Sequence, residues 1–145
     1  MSKLIPSRIF LDVNVLFDLV NSQAVKHIIT KLLITLLEKE AIILYASPTS
    51  FAINFYLIGK RYRNKQKTKR EILLLYKNVK FSREDYIIMD KVMKSDFEDL
   101  EDAMQYFSAQ DAGVDCIITN NIADFPKKGI PIYAVETFFY TYLYN

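Results

Sequence analysis

RIFLDVNVLFDLV, running from Arg8 to Val20, is a short apolar run that ends in Asp12 and passes at once into apolar residues at helical spacing. The first part reads as a buried strand and the second as a helix. Asp12 then stands at the carboxyl end of the strand, where an ionisable group needs a partner or a function. Capping the helix that follows accounts for only part of that need.

The same alternation repeats outward from this stretch. Ile28, Ile29, Leu32, Leu33, Leu36 and Leu37 give Val25 to Glu40 a helical period, and Ala41 to Tyr45 follows as a second strand. Ser47-Pro48-Thr49 supplies a cap, with proline in the first turn of a helix reaching about Tyr62; that helix is apolar nearly all round and is expected to be largely buried. A helix from about Thr68 to Tyr76 and a short strand at Val79 to Phe81 come next. Ser82 is expected to cap the following helix, with Glu84 and Asp85 in its first turn. A further helix runs from Asp99 to about Ala112 and is stopped by Gly113, after which Asp115 to Thr119 reads as a buried strand. Ile130 to Ala134 is a last strand before an aromatic-rich terminal helix. Strands alternating with helices, without hairpin signals, predict an α/β fold: one three-layer domain over residues 1–145 with a central, mostly parallel sheet of about five strands. There is no repeat or low-complexity segment, and the basic stretch from Lys60 to Arg70 is the one candidate hinge.

A chain of 145 residues is long enough to bury roughly two thirds of its unfolded surface in one core. It is 51% hydrophobic, yet its mean hydropathy is only +0.05, so apolar and charged positions are interleaved. The longest apolar runs are strand-sized, which predicts no membrane span. The N-terminal segment lacks an apolar core and a cleavage site, so a cytoplasmic protein is expected. The single Cys116 lies in an apolar run and reads as a buried small hydrophobe. A net charge of +2 carries little information, but its distribution does. KRYRNKQKTKR (60–70) holds seven basic residues in eleven, and DFEDLED (96–102) holds five acids in seven. Either run reads as a solvated helix face. Alternatively, a basic strip near an acidic pocket suits a polyanion, with Lys and Arg on phosphates and cations in the pocket.

Several chemistries are removed by counting. One histidine, His27, on a helix of aliphatics leaves a Ser-His-Asp apparatus or a zinc site little to work with and reads as structural. Three glycines, Gly59, Gly113 and Gly129, cannot write a P-loop or a dinucleotide fingerprint. Carboxylates remain, and they fall where open parallel sheets place ligands. Asp12 ends the first strand, Asp99 and Asp102 start a helix, and Asn120, Asn121 and Asp124 follow a later strand. Asp99 and Asp102, three apart, project from one side, and converging carboxylates repel unless protonated or neutralised. A hard divalent ion such as Mg²⁺ or Mn²⁺ relieves this and keeps waters for chemistry. The bland alternative for the pair is helix capping and dipole compensation. Asn54 lies mid-helix among apolar residues, where it reads equally as a satisfied structural amide or as a site-lining group.

IFLDVNVLFDLV (9–20) resembles the opening strand and helix of PIN domains, usually Asp-Thr-Asn-Val-Leu-Leu-Asp. DFEDLEDAMQYFSAQDAGVDCIITNNIADF (96–125) resembles their second half, and IPIYAVETFF (130–139) their close, so the resemblance covers almost the whole chain. It implies a five-stranded parallel sheet and a magnesium- or manganese-dependent endoribonuclease, most often the toxin of a VapC-type toxin–antitoxin pair. At the matching positions it implies Asp12 as first metal ligand, Asp102 as the principal later one and Asp99 beside it. It implies Asn14 orienting the first ligand and Asn121 and Asp124 in the last corner, with Asn54 and Thr119 lining or supporting the site. Lys60, Arg61, Arg63 and Lys65 become candidate RNA contacts. Partners implied are an RNA substrate, a small antitoxin protein that reaches the acidic groove with a basic side chain, and a second copy of the chain. Many members carry Glu where this chain has Asn54 and Asp where it has Asn121; a branch carries Asn at both. One firmly held ion is therefore the expectation. The alternative is a PIN-like module that binds RNA or protein without cutting. A receiver-like signalling domain would want an acidic pair before the first helix, a phosphoacceptor Asp after a middle strand and a later lysine, and no such arrangement is present.

Overall fold

The computed structural model describes residues 4–144; the start of the segment read for a targeting signal, Met1 to Lys3, lies outside them. Strand β1 (Arg8–Leu11) is followed by helices α1 (Val13–Val20) and α2 (His27–Lys39), then β2 (Ile43–Ala46), α3 (Pro48–Tyr62), α4 (Lys65–Leu75) and β3 (Val79–Phe81). Helices α5 (Tyr86–Met93) and α6 (Leu100–Asp111) lead to β4 (Cys116–Ile118), a 3-10 turn (Ile122–Asp124), β5 (Ile132–Tyr133), α7 (Val135–Phe138) and a π-helical turn (Phe139–Leu143). The five strands form one sheet in the order β3-β2-β1-β4-β5, every pair parallel.

β1 is central, and its residues are apolar without alternation because both faces are covered. Ile9 and Leu11 enter the core beneath α1, α2, α3, α4 and α7, while Phe10 enters a second core with Tyr45, Ile117 and the α6 residues Tyr106 and Ala109. Helices thus pack on both faces, as the alternation of elements predicts. From β1 the chain steps to β2 on one side and later to β4 on the other, so the direction of winding reverses beside β1. Crevices form at such a reversal, outside the carboxyl ends of the strands.

Several local expectations need correction. β2 begins only at Ile43, because Ala41 takes a left-handed φ of 57° in closing α2. α3 is covered on one side alone: Ser50, Asn54 and Ile58 are buried, but Phe55 is 48% and Tyr56 63% exposed. The basic stretch is no hinge; it forms the last turn of α3, a corner at Arg63 and Asn64, and the first half of α4, which starts at Lys65 rather than Thr68. Arg63 caps α3 in the left-handed region, and the Asn64 side chain caps α4 by accepting from Lys67 N at 2.9 Å. α5 is capped by Asp85, which accepts from Ile87 N and Ile88 N, and not by Ser82, whose hydroxyl turns inward to the Ala46 carbonyl and Ser108. Cys116 is buried, as expected. Among the described residues no helix is long and apolar enough to cross a membrane.

Candidate acidic active site

Asp12 continues β1 through its backbone and opens α1 through its side chain. Its N–H donates to the Ile118 carbonyl at 3.0 Å, extending the ladder to β4, and its extended backbone places it as the N-cap of α1. The carboxylate accepts from Val13 N at 2.7 Å through Oδ1 and from the Thr119 hydroxyl at 2.6 Å through Oδ2. Thr119 is held in turn, since its Oγ1 accepts from Asn121 N at 3.0 Å. Only 2% of Asp12 is exposed. Burial pushes its carboxyl above the ordinary value, as does the charge of Asp124, against the pull of the Thr119, Val13 and Gln105 contacts.

Across the crevice, Asp99 is the N-cap of α6 and accepts from Glu101 N at 2.9 Å and Asp102 N at 3.3 Å. Capping is thus a true part of its role. Asp102, in the first turn, does something else. Its carboxyl is lifted to about 7, first by burial and then by the charges of Asp99, Asp12, Asp124 and Glu101. Glu101 is raised by the same means, through burial and the charges of Asp99 and Asp12. Carboxylates from β1, α6 and the turn after β4 therefore converge at one edge of the sheet. An open cleft of about 700 Å³ lies beside them, lined by Asp99, Asp102 and Asp124 together with Phe97, Tyr106 and the single cation Lys94. Among the described residues no three His, Cys, Asp or Glu side chains are placed to hold one metal ion directly.

The remaining residues singled out from the sequence divide. Asn121 and Asp124 lie on the loop and 3-10 turn after β4, joined by a backbone bond from Asp124 N to the Asn121 carbonyl at 3.1 Å. Asn14 makes no hydrogen bond to Asp12; its buried Oδ1 has no partner, and orientation of Asp12 falls to Thr119 and the Val13 amide. Asn54 is fully buried and does not line the cleft, and its Oδ1 has no partner. Its Nδ2 donates to the Tyr76 hydroxyl at 2.8 Å and to the Val13 carbonyl at 3.4 Å, so it ties α3 and α4 to the first residue of α1. Lys60, Arg61, Arg63 and Lys65 are all exposed at the α3–α4 corner and do not line the cleft. The corner starts roughly 10 Å along the α3 axis from Asn54, at 1.5 Å per residue.

Two residues belong to the site that sequence reasoning passed over. Glu101 was visible only as one more acid in a run. Gln105, one turn beyond Glu101 and Asp102 on α6, is fully buried, and its Oε1 accepts from Val13 N at 3.1 Å. This is the one side-chain hydrogen bond between α6 and α1 among the described residues. The available signal was its spacing, since a polar residue three beyond Asp102 shares that residue's side of the helix.

Comparison with known proteins agrees with this fold. A search of curated proteins finds no match. Among solved structures, the chain is similar to VapBC2 from Rickettsia felis, crystallised bound to a DNA fragment from their promoter. The TM-score there is 0.68 at 12% identity, covering 88% of this chain and 98% of that one. It is also similar to VapC20 of Mycobacterium tuberculosis, a Sarcin-Ricin loop cleaving toxin, with a TM-score of 0.59 at 15% identity over 75% of this chain and 86% of that one. At such identities the likeness is one of fold. A family model described as PIN domain matches residues 8–123, a span that includes Asp12, Asp99, Asp102 and Thr119: the chain belongs to the PIN-domain family.

Proposed function

We propose that the chain is a divalent-metal-dependent endoribonuclease and the toxin of a VapC-type toxin–antitoxin pair. The observation that carries the reading is the convergence on Asp102, whose carboxyl is held near 7 by burial and by the charges of Asp99, Asp12, Asp124 and Glu101. A protein stores such repulsion where a cation or a reaction makes use of it.

The donor set fits one hydrated Mg²⁺ or Mn²⁺. The groups are hard oxygens with excess negative charge, and since no three of them among the described residues are placed to hold one ion directly, an ion there would be bound by one or two carboxylates and otherwise by water. Asp12 and Asp102 would hold it, with Asp99 beside them. When bound, the ion supplies a water of lowered pKa and neutralises charge developing on the phosphate. Thr119 fixes the Asp12 carboxylate, and Gln105 holds the start of α1 against α6, so the acids keep their separation without reorganising. Asp124, with Asn121 beside it, or Asp99 orients the attacking water. Lys60, Arg61, Arg63 and Lys65 take phosphates of the RNA away from the cut. The reading also carries a small antitoxin, a homodimer and a cytoplasmic setting.

Asn54 gives the alternative its support. It is buried and uncharged, so α3 contributes no carboxylate at that position. A module that binds RNA or protein without cutting would tolerate that loss. Incubation of the purified protein with structured RNAs, with Mn²⁺ or Mg²⁺ against EDTA and with Asp102→Asn alongside, separates the two. Metal-dependent cleavage lost in the variant supports the nuclease. Equal cleavage by the variant sinks the assignment, and binding without cleavage supports the module.

A further inference from the structure

The α3–α4 corner combines charge with exposed rings. Its seven cations between Lys60 and Arg70 are all exposed, and none takes part in the four ion pairs found among the described residues. A solvated helix face would pair such a run with acids at i±4 spacing; the one acid so placed, Glu71 four beyond Lys67, makes no ion pair among the described residues, and the cations are left to an outside anion. Two are instead laid on tyrosines: Lys60 Nζ is 5.4 Å from the Tyr56 ring centre and Lys67 Nζ is 4.2 Å from that of Tyr62. Phe55 and Tyr56 remain 48% and 63% exposed, although rings of that size are normally covered in a core. Phe55 forms part of an open hollow of about 330 Å³ with Gly59, Arg63, Asn64, Lys65 and Thr68. Ring and cations thus line the same depression.

We infer that this corner is a platform for single-stranded RNA, with an unstacked base in the hollow against Phe55, a neighbouring base on Tyr56, and Arg63 and Lys65 on the flanking phosphates. Charge alone would suit any polyanion, and the rings decide between them. Bases in a duplex are stacked on one another and offer no face to an aromatic side chain, whereas a splayed strand offers one at every nucleotide. An acidic peptide could use the cations but would leave Phe55 without a partner. The inference deepens the ribonuclease reading and rests on it for the onward path of the strand to Asp102. Binding at the corner is measurable without cleavage.

The test uses the full chain carrying Asp102→Asn, so that RNA survives, and follows fluorescence anisotropy with an unstructured oligonucleotide of about a dozen nucleotides, its duplex, and poly-glutamate. The single strand should bind at least tenfold more tightly than the duplex. Phe55→Ala and Tyr56→Ala should each weaken it about five- to a hundredfold at unchanged salt slope, as removal of a base–aromatic stack does, and Tyr56→Phe should restore it. Arg63→Gln with Lys65→Gln should flatten the slope of log K against log salt by about 1.4, or about 0.7 for each phosphate that is no longer neutralised. Circular dichroism checks that these surface variants stay folded. Equal binding of duplex and single strand, indifference to the ring substitutions, or binding of poly-glutamate alone overturns the platform. Ring-dependent binding of the single strand supports it whether or not the wild-type chain cleaves, so failure of the nuclease reading and failure of the platform are told apart.

Discussion

Replacing Asp102 by Asn should stabilise the metal-free protein, and only above the pH at which an ordinary aspartate ionises. The Asp102 carboxyl is lifted from 3.8 to about 7. An acid raised on folding keeps its proton in the folded state across the window between those values, while the unfolded chain has released it. Its stability contribution is therefore full below about pH 4 and is lost as pH rises to about 7. A shift of roughly three units corresponds to about 4 kcal/mol at face value. Asp102 borders an open cleft, and solvent screening brings this to about 2 kcal/mol. Its charge in the first turn of α6 also favours the helix by about 0.5 kcal/mol, which the variant forgoes. The net gain at about pH 8 is then about 1.5 kcal/mol, or a rise in Tm of about 5 °C, fading to nothing near pH 4. Urea unfolding in EDTA at the two pH values is the assay, and added Mn²⁺ should narrow the gap by stabilising the wild type alone. A variant no more stable than wild type at pH 8, or equally stabilised at both pH values, refutes the convergence of charge at the site.

Three further substitutions probe the supports of the site. Thr119→Val removes the 2.6 Å hydrogen bond to Asp12 at almost constant shape; it should cost about 1–2 kcal/mol in urea unfolding and lower kcat at least tenfold, and full activity would show that Asp12 needs no such tether. Gln105→Leu leaves Val13 N its bond to Asp12, so stability should fall by less than about 1 kcal/mol while kcat drops several-fold at constant KM; a change in KM alone would move Gln105 to substrate contact. Tyr76→Phe strips the shared partner from Ser50 and Asn54, both buried. It should destabilise by about 1–3 kcal/mol, and a smaller loss would mean that water replaces the hydroxyl.

What could be read from the sequence was whatever is decided locally or by periodicity. The strand-then-helix of Arg8 to Val20 and the Ser47-Pro48 start of α3 are set by short-range pattern, and both lie where expected. Choices that depend on distant elements were not legible. Ser82 and Asp85 are both good caps, and only the packing of Ser82 against Ser108 on α6 leaves the role to Asp85. Phe55 and Tyr56 look like core residues until α3 is seen to be covered on one side. At the site, Asp12, Asp99, Asp102 and Asp124 stand out as carboxylates at strand ends and helix starts. Which neighbour orients Asp12 is a matter of tertiary structure: Asn14 is two residues away but makes no bond to it, whereas Thr119 arrives through the pairing of β1 with β4. The mid-helix Asn54 reads from the sequence as a satisfied amide or a site-lining group, and only the tertiary structure brings its Nδ2 to the Tyr76 hydroxyl while leaving its Oδ1 without a partner.

The pairing of Asp12 with Thr119 spans 107 positions of the chain. Synthesis runs from the N-terminus, so Asp12 leaves the ribosome 107 residues ahead of the hydroxyl that orients it, and further still ahead of Asp124. β1 meanwhile has β2 on one side and an open edge on the other until Cys116–Ile118 arrives. A chain still short of Cys116–Ile118 therefore carries Asp12 without the hydroxyl that orients it, and the acidic pocket is assembled only once β4 has joined β1. The topology works as a timer on assembly of the pocket.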